Sequence, residues 1–121
     1  MFCAMTHNPQ PLHLDEEFAK GTEYGGRIVN SMFTLGLLVG VTVGDTTLGT
    51  TLGNLGMTEV RFANPVYHGD TLRAVTKVKS MRESKSRPTA GLIELEHFAF
   101  NQSDKEVAYC IRTALMQKRP A

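Results

Sequence analysis

The apolar positions of this chain change their rhythm once, near Asp45. Ahead of it, Ile28, Val29, Met32, Phe33, Leu35, Leu37, Leu38, Val39, Val41 and Val43 crowd into one stretch. That density predicts a helix from Asn30 or Ser31, either a fair N-cap, to about Val43. Such a helix is apolar nearly all round and must be covered on most sides. Gly36, Gly40 and Gly44 fall four apart on one stripe, which would let the helix lie close against a sheet. The run Met32 to Val43 is shorter than the roughly 20 residues that span a bilayer, so it reads as a buried helix.

Beyond Asp45 the texture is that of strands. Thr47 to Thr51 is β-branched and glycine-rich, Thr58 to Phe62 alternates, Asn64-Pro65 breaks the pattern, and His68-Gly69-Asp70 reads as a turn. Thr71 to Lys79 sets Leu72, Ala74, Thr76 and Val78 against Arg73, Val75, Lys77 and Lys79. Arg82 to Pro88 is a polar connection, Gly91 to Phe100 a second long strand, Asn101 to Asp104 a hairpin tip, and Lys105 to Gln117 the last strand. Before the long helix, Pro9 and Pro11 make Met1 to Pro11 an extended loop. His13 to Lys20 has helical composition, with Asp15, Glu16 and Glu17 early, where a helix N-terminus favours negative charge. Gly21 and Gly25-Gly26 end it. The order is loop, short helix, long helix, then about four antiparallel strands in a meander. A sheet curved around the helix is one of several α+β arrangements this order allows.

Composition narrows the function classes. A chain of 121 residues with 41% hydrophobic and 21% charged residues suits one globular domain. Lys and Arg number 13 against 12 Asp and Glu, so no broad field favours a nucleic acid or an anionic membrane. Cys3 and Cys110 form no CxxC and no disulfide framework, and read as free thiols of a reducing cytosol. Met1 to Gln10 lacks the basic and apolar stretches of a secretion signal. No His, Asp or Glu spacing suggests a metal site.

The candidate chemistry precedes the long helix, in Thr6-His7-Asn8-Pro9-Gln10-Pro11-Leu12-His13-Leu14-Asp15. Tyr24-Gly25-Gly26-Arg27-Ile28-Val29-Asn30-Ser31-Met32 leads into the helix, and Asn64-Pro65-Val66-Tyr67-His68-Gly69-Asp70-Thr71-Leu72 follows it. These three segments, in this order, resemble the MaoC-like (R)-specific enoyl-CoA hydratases over nearly the whole chain. The resemblance implies an α+β hot-dog fold, an antiparallel sheet wrapped around a long apolar central helix. Because Met1 lies almost at the first motif, the family's N-terminal strand is expected to be missing from this sequence. A single domain over 1–121 is then expected, with an active-site loop and short helix in 1–25, the central helix in 28–44 and antiparallel strands in 47–117. The family reading also implies a cytoplasmic homodimer or higher oligomer acting on an acyl-CoA thioester. It implies no metal or redox cofactor, CoA arriving as part of the substrate.

By the same resemblance His13 matches the family's catalytic His, and Asn8, five residues earlier, stands where the family usually has its catalytic Asp. Gln10 stands in place of an Asn. Ser31, beside Asn30, occupies the position of a Gly whose backbone N–H binds the thioester oxygen. Hydration of a 2-enoyl thioester needs water delivered to C3 and a proton to C2, which an acid and a His can do together. An N–H at a helix N-terminus stabilises the charge that develops on the thioester oxygen. The carboxamide of Asn8 cannot be a general base but can orient a water. Two readings follow: a hydratase in which His13 is the base and Asn8 holds the water, or a non-catalytic acyl-CoA-binding module. A thioesterase is weaker, because hot-dog thioesterases do not use this loop.

The Asn-x-x-Pro-Leu-His pattern and Arg82-Glu83-Ser84-Lys85-Ser86-Arg87-Pro88 resemble the itaconyl-CoA and mesaconyl-CoA hydratase-like branch, which handles branched C5-dicarboxyl thioesters. Arg82, Lys85 and Arg87 would grip CoA phosphates or a second carboxylate; the bland alternative is a solvated charged hairpin. His68 reads as a turn histidine, His97 as a sheet histidine and Asp15 as a helix-start charge.

Overall fold

A computed structural model describes residues 1–120. Three short helices, α1 (Phe2–Met5), α2 (Pro11–Leu14) and α3 (Glu16–Lys20), precede the long helix α4 (Ser31–Thr46). Four strands follow: β1 (Thr51–Arg61), β2 (Arg73–Glu83), β3 (Ala90–Phe100) and β4 (Glu106–Gln117).

Asn30 caps α4, its Oδ1 accepting the Met32 N–H at 2.9 Å. The helix runs past Val43, where the sequence pattern ends it. The Thr42 and Thr46 hydroxyls donate to the carbonyls of Val39 and Thr42, both at 2.7 Å, and carry the last turn through Gly44. The single helix expected over His13 to Lys20 is two. Asp15 breaks it with extended backbone (φ −115°, ψ 107°), and its carboxylate accepts the Phe18 N–H at the start of α3. The N-terminal segment expected to be irregular contains the one turn of α1.

All strand pairs are antiparallel, in the order β1-β4-β3-β2. Only β2, β3 and β4 form the expected meander; β1 lies at the far edge from β2. The connection between them crosses the entry to α4, where the Val29 N–H donates to Val66 O at 2.7 Å and Ile28 bridges Tyr67. Of the two β-textured pieces, Thr47 to Thr50 is instead a turn that closes α4, its Thr50 and Thr51 N–H groups donating to Thr47 O, whereas Thr58 to Arg61 lies in β1, which is interrupted by three register shifts.

The helix packs on a row of small residues carried by the sheet. Ala74 faces Ala99 and Ala99 faces Ala108 across the ladders, and Leu38 is buried with Val66, Ala99, Val107 and Ala108. The glycine stripe lies elsewhere: a Cβ added at Gly36, Gly40 or Gly44 meets nothing within 4 Å. The close approach expected from those glycines therefore comes from the sheet's alanines. One sheet also covers only one face of the helix. Thr34, Leu35, Leu38 and Thr42 are buried, whereas Met32, Phe33, Leu37 and Val41 stay between 39% and 59% exposed in a single chain. No helix among the described residues is long and apolar enough to cross a membrane.

His97 is fully buried on the helix-facing side of β3. Arg112 Nε donates to His97 Nε2 at 3.2 Å, which leaves the proton on Nδ1, 2.8 Å from Thr76 Oγ1. Burial, and then the neighbouring Arg112 charge, push the imidazole pKa down to about 4.

Candidate active site

His13 sits on α2, a single turn that Pro11 initiates at its first position. Its Nδ1 lies 2.9 Å from the Ile28 carbonyl oxygen. A carbonyl only accepts, so Nδ1 carries a proton and donates it, leaving Nε2 to act as an acceptor. The imidazole lines a cavity of about 290 Å³ whose walls include Phe2, Leu14, Val29, Asn30, Phe33 and His68. The chain thus builds a mostly apolar chamber beside the N-terminus of a 16-residue helix, whose titratable side chains are His13, His68 and Cys3.

Asn30 is buried and its amide is used on both sides: Oδ1 holds the Met32 N–H, and Nδ2 approaches the Cys3 Sγ at 3.6 Å. The residue expected beside the thioester is thereby a helix cap that also forms a wall of the cavity. The Asn30 carbonyl accepts from the N–H groups of Phe33 and Thr34. The first-turn N–H of Ser31 remains for an incoming acceptor, at the positive end of the helix dipole. Ser31 itself lines a neighbouring cavity of about 300 Å³ with Tyr24, Phe62 and Asn64. Ile28 and Val29 line both cavities. His13 and Ser31 are therefore brought to one end of α4, on two sides of a shared backbone segment.

Asn8 is turned inward on its own loop. Its Oδ1 accepts the Gln10 N–H at 3.0 Å, and its N–H donates to Cys3 O at 2.9 Å. It does not line the His13 chamber. Arg82, Lys85 and Arg87 are not brought to His13 within one chain. Phe33 and Leu37 of α4 share a cavity with Leu72, and Thr42 and Thr46 share one with Thr76. The strand β2 thus runs along the helix towards its C-terminal end and continues to Glu83. Arg82, expected in the connection, is paired with Leu92 inside β2 because the ladder runs on to Glu83; it and the Lys85 and Arg87 that follow lie towards that end, while His13 lies at the other. Arg82 instead borders a cavity of about 420 Å³ with Glu83, Leu92, Met116 and Lys118, where Lys118 pairs with Glu83 at 3.1 Å.

His68 lies in a turn, as the sequence pattern expects, and also lines the His13 chamber, which that pattern does not reveal. It precedes Gly69, whose φ of +94° makes the turn, and a His-Gly-Asp string reads as turn chemistry. The signal lay in the segment to which it belongs: Val66 and Tyr67 hold the same Ile28-Val29 pair that anchors His13.

The sequence profile of the MaoC like domain matches residues 1–97. Mesaconyl-CoA hydratase from Cereibacter sphaeroides is 32% identical over 108 residues, which cover 89% of this chain and 31% of that protein. The chain spans between a quarter and a third of the length of the first curated relatives it matches. The crystal structure of the MaoC-like dehydratase from Rhodospirillum rubrum superposes with a TM-score of 0.85 at 28% identity, covering 99% of this chain and 82% of that one. A Mycobacterium tuberculosis protein described as having a double hot-dog fold superposes with a TM-score of 0.83 over 98% of this chain and 36% of that one. At 22% identity that likeness is one of fold. The α+β hot-dog architecture expected from the motifs is thus the one observed.

Proposed function

This chain belongs to the MaoC-like domain family, and on that premise we propose that it is a hydro-lyase acting on a short or branched 2-enoyl-CoA. It adds water reversibly across the 2,3 double bond. The observation that carries the reading is the His13 imidazole, pinned through Nδ1 to the Ile28 carbonyl so that Nε2 is free in the chamber. That nitrogen accepts the proton of a water as its oxygen attacks C3. Charge moving onto the thioester oxygen is met by the Ser31 N–H at the head of α4. Asn8 orders the loop that carries α2 through its bond to the Gln10 N–H. Addition of water involves no net oxidation or reduction, so we propose that the reaction runs without a redox cofactor, and without a metal, with CoA supplied as part of the substrate. The dicarboxyl thioester named for the mesaconyl-CoA hydratase relative is a candidate substrate by analogy alone.

We further propose a homodimer, in the cytoplasm, in which the exposed apolar face of α4 is covered by a second copy. Light scattering at micromolar concentration should report twice the chain mass; a monodisperse monomer contradicts it. The function is tested with a panel of enoyl-CoA thioesters. Loss of the conjugated absorbance without release of free thiol reports hydration, whereas thiol release reports hydrolysis. Replacing His13 by Ala should cut turnover by about 10²–10⁴ with the fold intact. Near-wild-type turnover in a folded His13→Ala protein removes the assignment. Binding of acyl-CoA without any turnover would establish the non-catalytic module instead.

A further inference from the structure

Hydration transfers two protons at adjacent carbons, one away from water and one onto C2, and the resemblance that brings His13 forward supplies no second titratable group. Asn8 has none, its carbonyl oxygen is engaged by the Gln10 N–H, and it stands outside the His13 chamber. Besides His13, the titratable side chains on the walls of that chamber are Cys3 and His68. Cys3 is buried, and its sulfur lies against the Asn30 amide. His68 is exposed and its imidazole has no hydrogen-bond partner among the described residues, so a ligand can reach it.

Its position is also held. The Tyr67 N–H donates to Asp70 Oδ2 at 2.9 Å, the Asp70 N–H donates to Tyr67 O at 3.1 Å, and the Tyr67 hydroxyl donates to Tyr24 O at 2.9 Å. Gln102 Nε2 donates to the other Asp70 oxygen at 3.0 Å. The turn is docked on Ile28 and Val29 through the Tyr67 bridge and the Val29-to-Val66 hydrogen bond. His13 is tied to the same Ile28. Both imidazoles are therefore referenced to one two-residue segment, which is how the fold brings side chains 55 positions apart to one chamber.

We propose that His68 is the second catalytic side chain, the acid that protonates C2 in the hydration; the proposal rests on the hydratase reading above. His13 Nε2 takes a proton from water while the water oxygen bonds to C3. The π pair of the C2–C3 double bond shifts towards C2 and the thioester carbonyl, and the N–H of protonated His68 delivers its proton to C2. One water has been added, His13 has gained a proton and His68 has lost one, and exchange with solvent resets both. In dehydration the roles reverse, His68 removing the C2 proton and His13 protonating the leaving hydroxyl.

The test is steady-state hydration by the full chain carrying His68→Gln or His68→Ala, beside wild type. We expect kcat to fall on the order of 10²-fold in both. KM should stay within about threefold of wild type, since the lost contact acts in the transition state. Thermal unfolding and molecular mass should not change, because the side chain is exposed. Added imidazole should restore part of the rate to His68→Ala, where the small base can occupy the vacated space, and not to His68→Gln. A kcat within about threefold of wild type overturns the proposal, as does a rise in KM alone, which would make His68 a CoA contact. A loss that imidazole leaves unrestored overturns it too. Wild type inactive on every enoyl-CoA of the panel would instead refute the hydratase reading, and the proposal with it.

Discussion

Acidification should destabilise this protein through His97. The imidazole has no solvent exposure; Thr76 Oγ1 lies at 2.8 Å from Nδ1, and Arg112 Nε donates into Nε2 at 3.2 Å. Protonating Nε2 would replace the acceptor that Arg112 uses with a donor and set two cations together in the interior. The folded-state pKa is accordingly about 4, against 6.5 for the free side chain. Because the folded value is the lower one, the unfolded chain binds more protons between these limits. The stability contribution is full above pH 6.5 and is lost as pH falls from 6.5 towards 4. The gap of about 2.5 units corresponds to roughly 3 kcal/mol in all, about 2 of it gone by pH 5. That is a large share of the 5–15 kcal/mol or so available to a domain.

Urea unfolding followed by circular dichroism, at pH values from 7.5 down to 4.5, measures the slope directly. The informative quantity is the difference between wild type and His97→Gln, which cancels any slope the two proteins share. The Gln carbonyl can still accept from Arg112 but has no proton to gain. Wild type should lose about 2 kcal/mol more than His97→Gln between pH 7 and 5. Parallel curves for the two proteins would refute the reasoning.

Asn8→Asp preserves the acceptor for the Gln10 N–H and adds a charge on the loop that carries His13. Hydration by this variant should stay comparable or fall, with a shifted pH optimum. An inactive wild type and an active Asn8→Asp protein would show a site whose only defect is the missing acid. Val41, 57% exposed on the uncovered face of α4, should tolerate Asp in a monomer. Val41→Asp should therefore split the dimer without unfolding the chain, and an unchanged mass by light scattering would show that this face is not the interface.

Much of the local structure was legible in the residues. The apolar crowding from Ile28 to Val43 marked α4, and Asn30 marked its start, because a side-chain acceptor is needed there whatever lies around the helix. Alternation marked β2, β3 and β4 within a few residues. The irregular β1 was legible only in pieces, since each register shift resets the alternation that the eye follows. Asp15 was read correctly as a helix-start charge, yet the helix it starts is α3 alone.

The sequence by itself determined the long helix and the strands β2, β3 and β4, since a cap and a repeat of apolar residues act on near neighbours. Tertiary structure alone decided the rest. It placed β1 at the far edge beside β4, turned the Gly36-Gly40-Gly44 stripe away from the sheet, and left the alanines of β2, β3 and β4 to receive the helix. Arg82 at the end of β2, with the connection carrying Lys85 and Arg87, was carried beyond one end of α4, and His68 was drawn to the His13 chamber at the other. None of these follows from periodicity, because a repeat specifies that a face is apolar and not which element will cover it. Pairing between distant strands, and the connection that docks Tyr67 on Ile28, make that choice only once the chain has closed on itself.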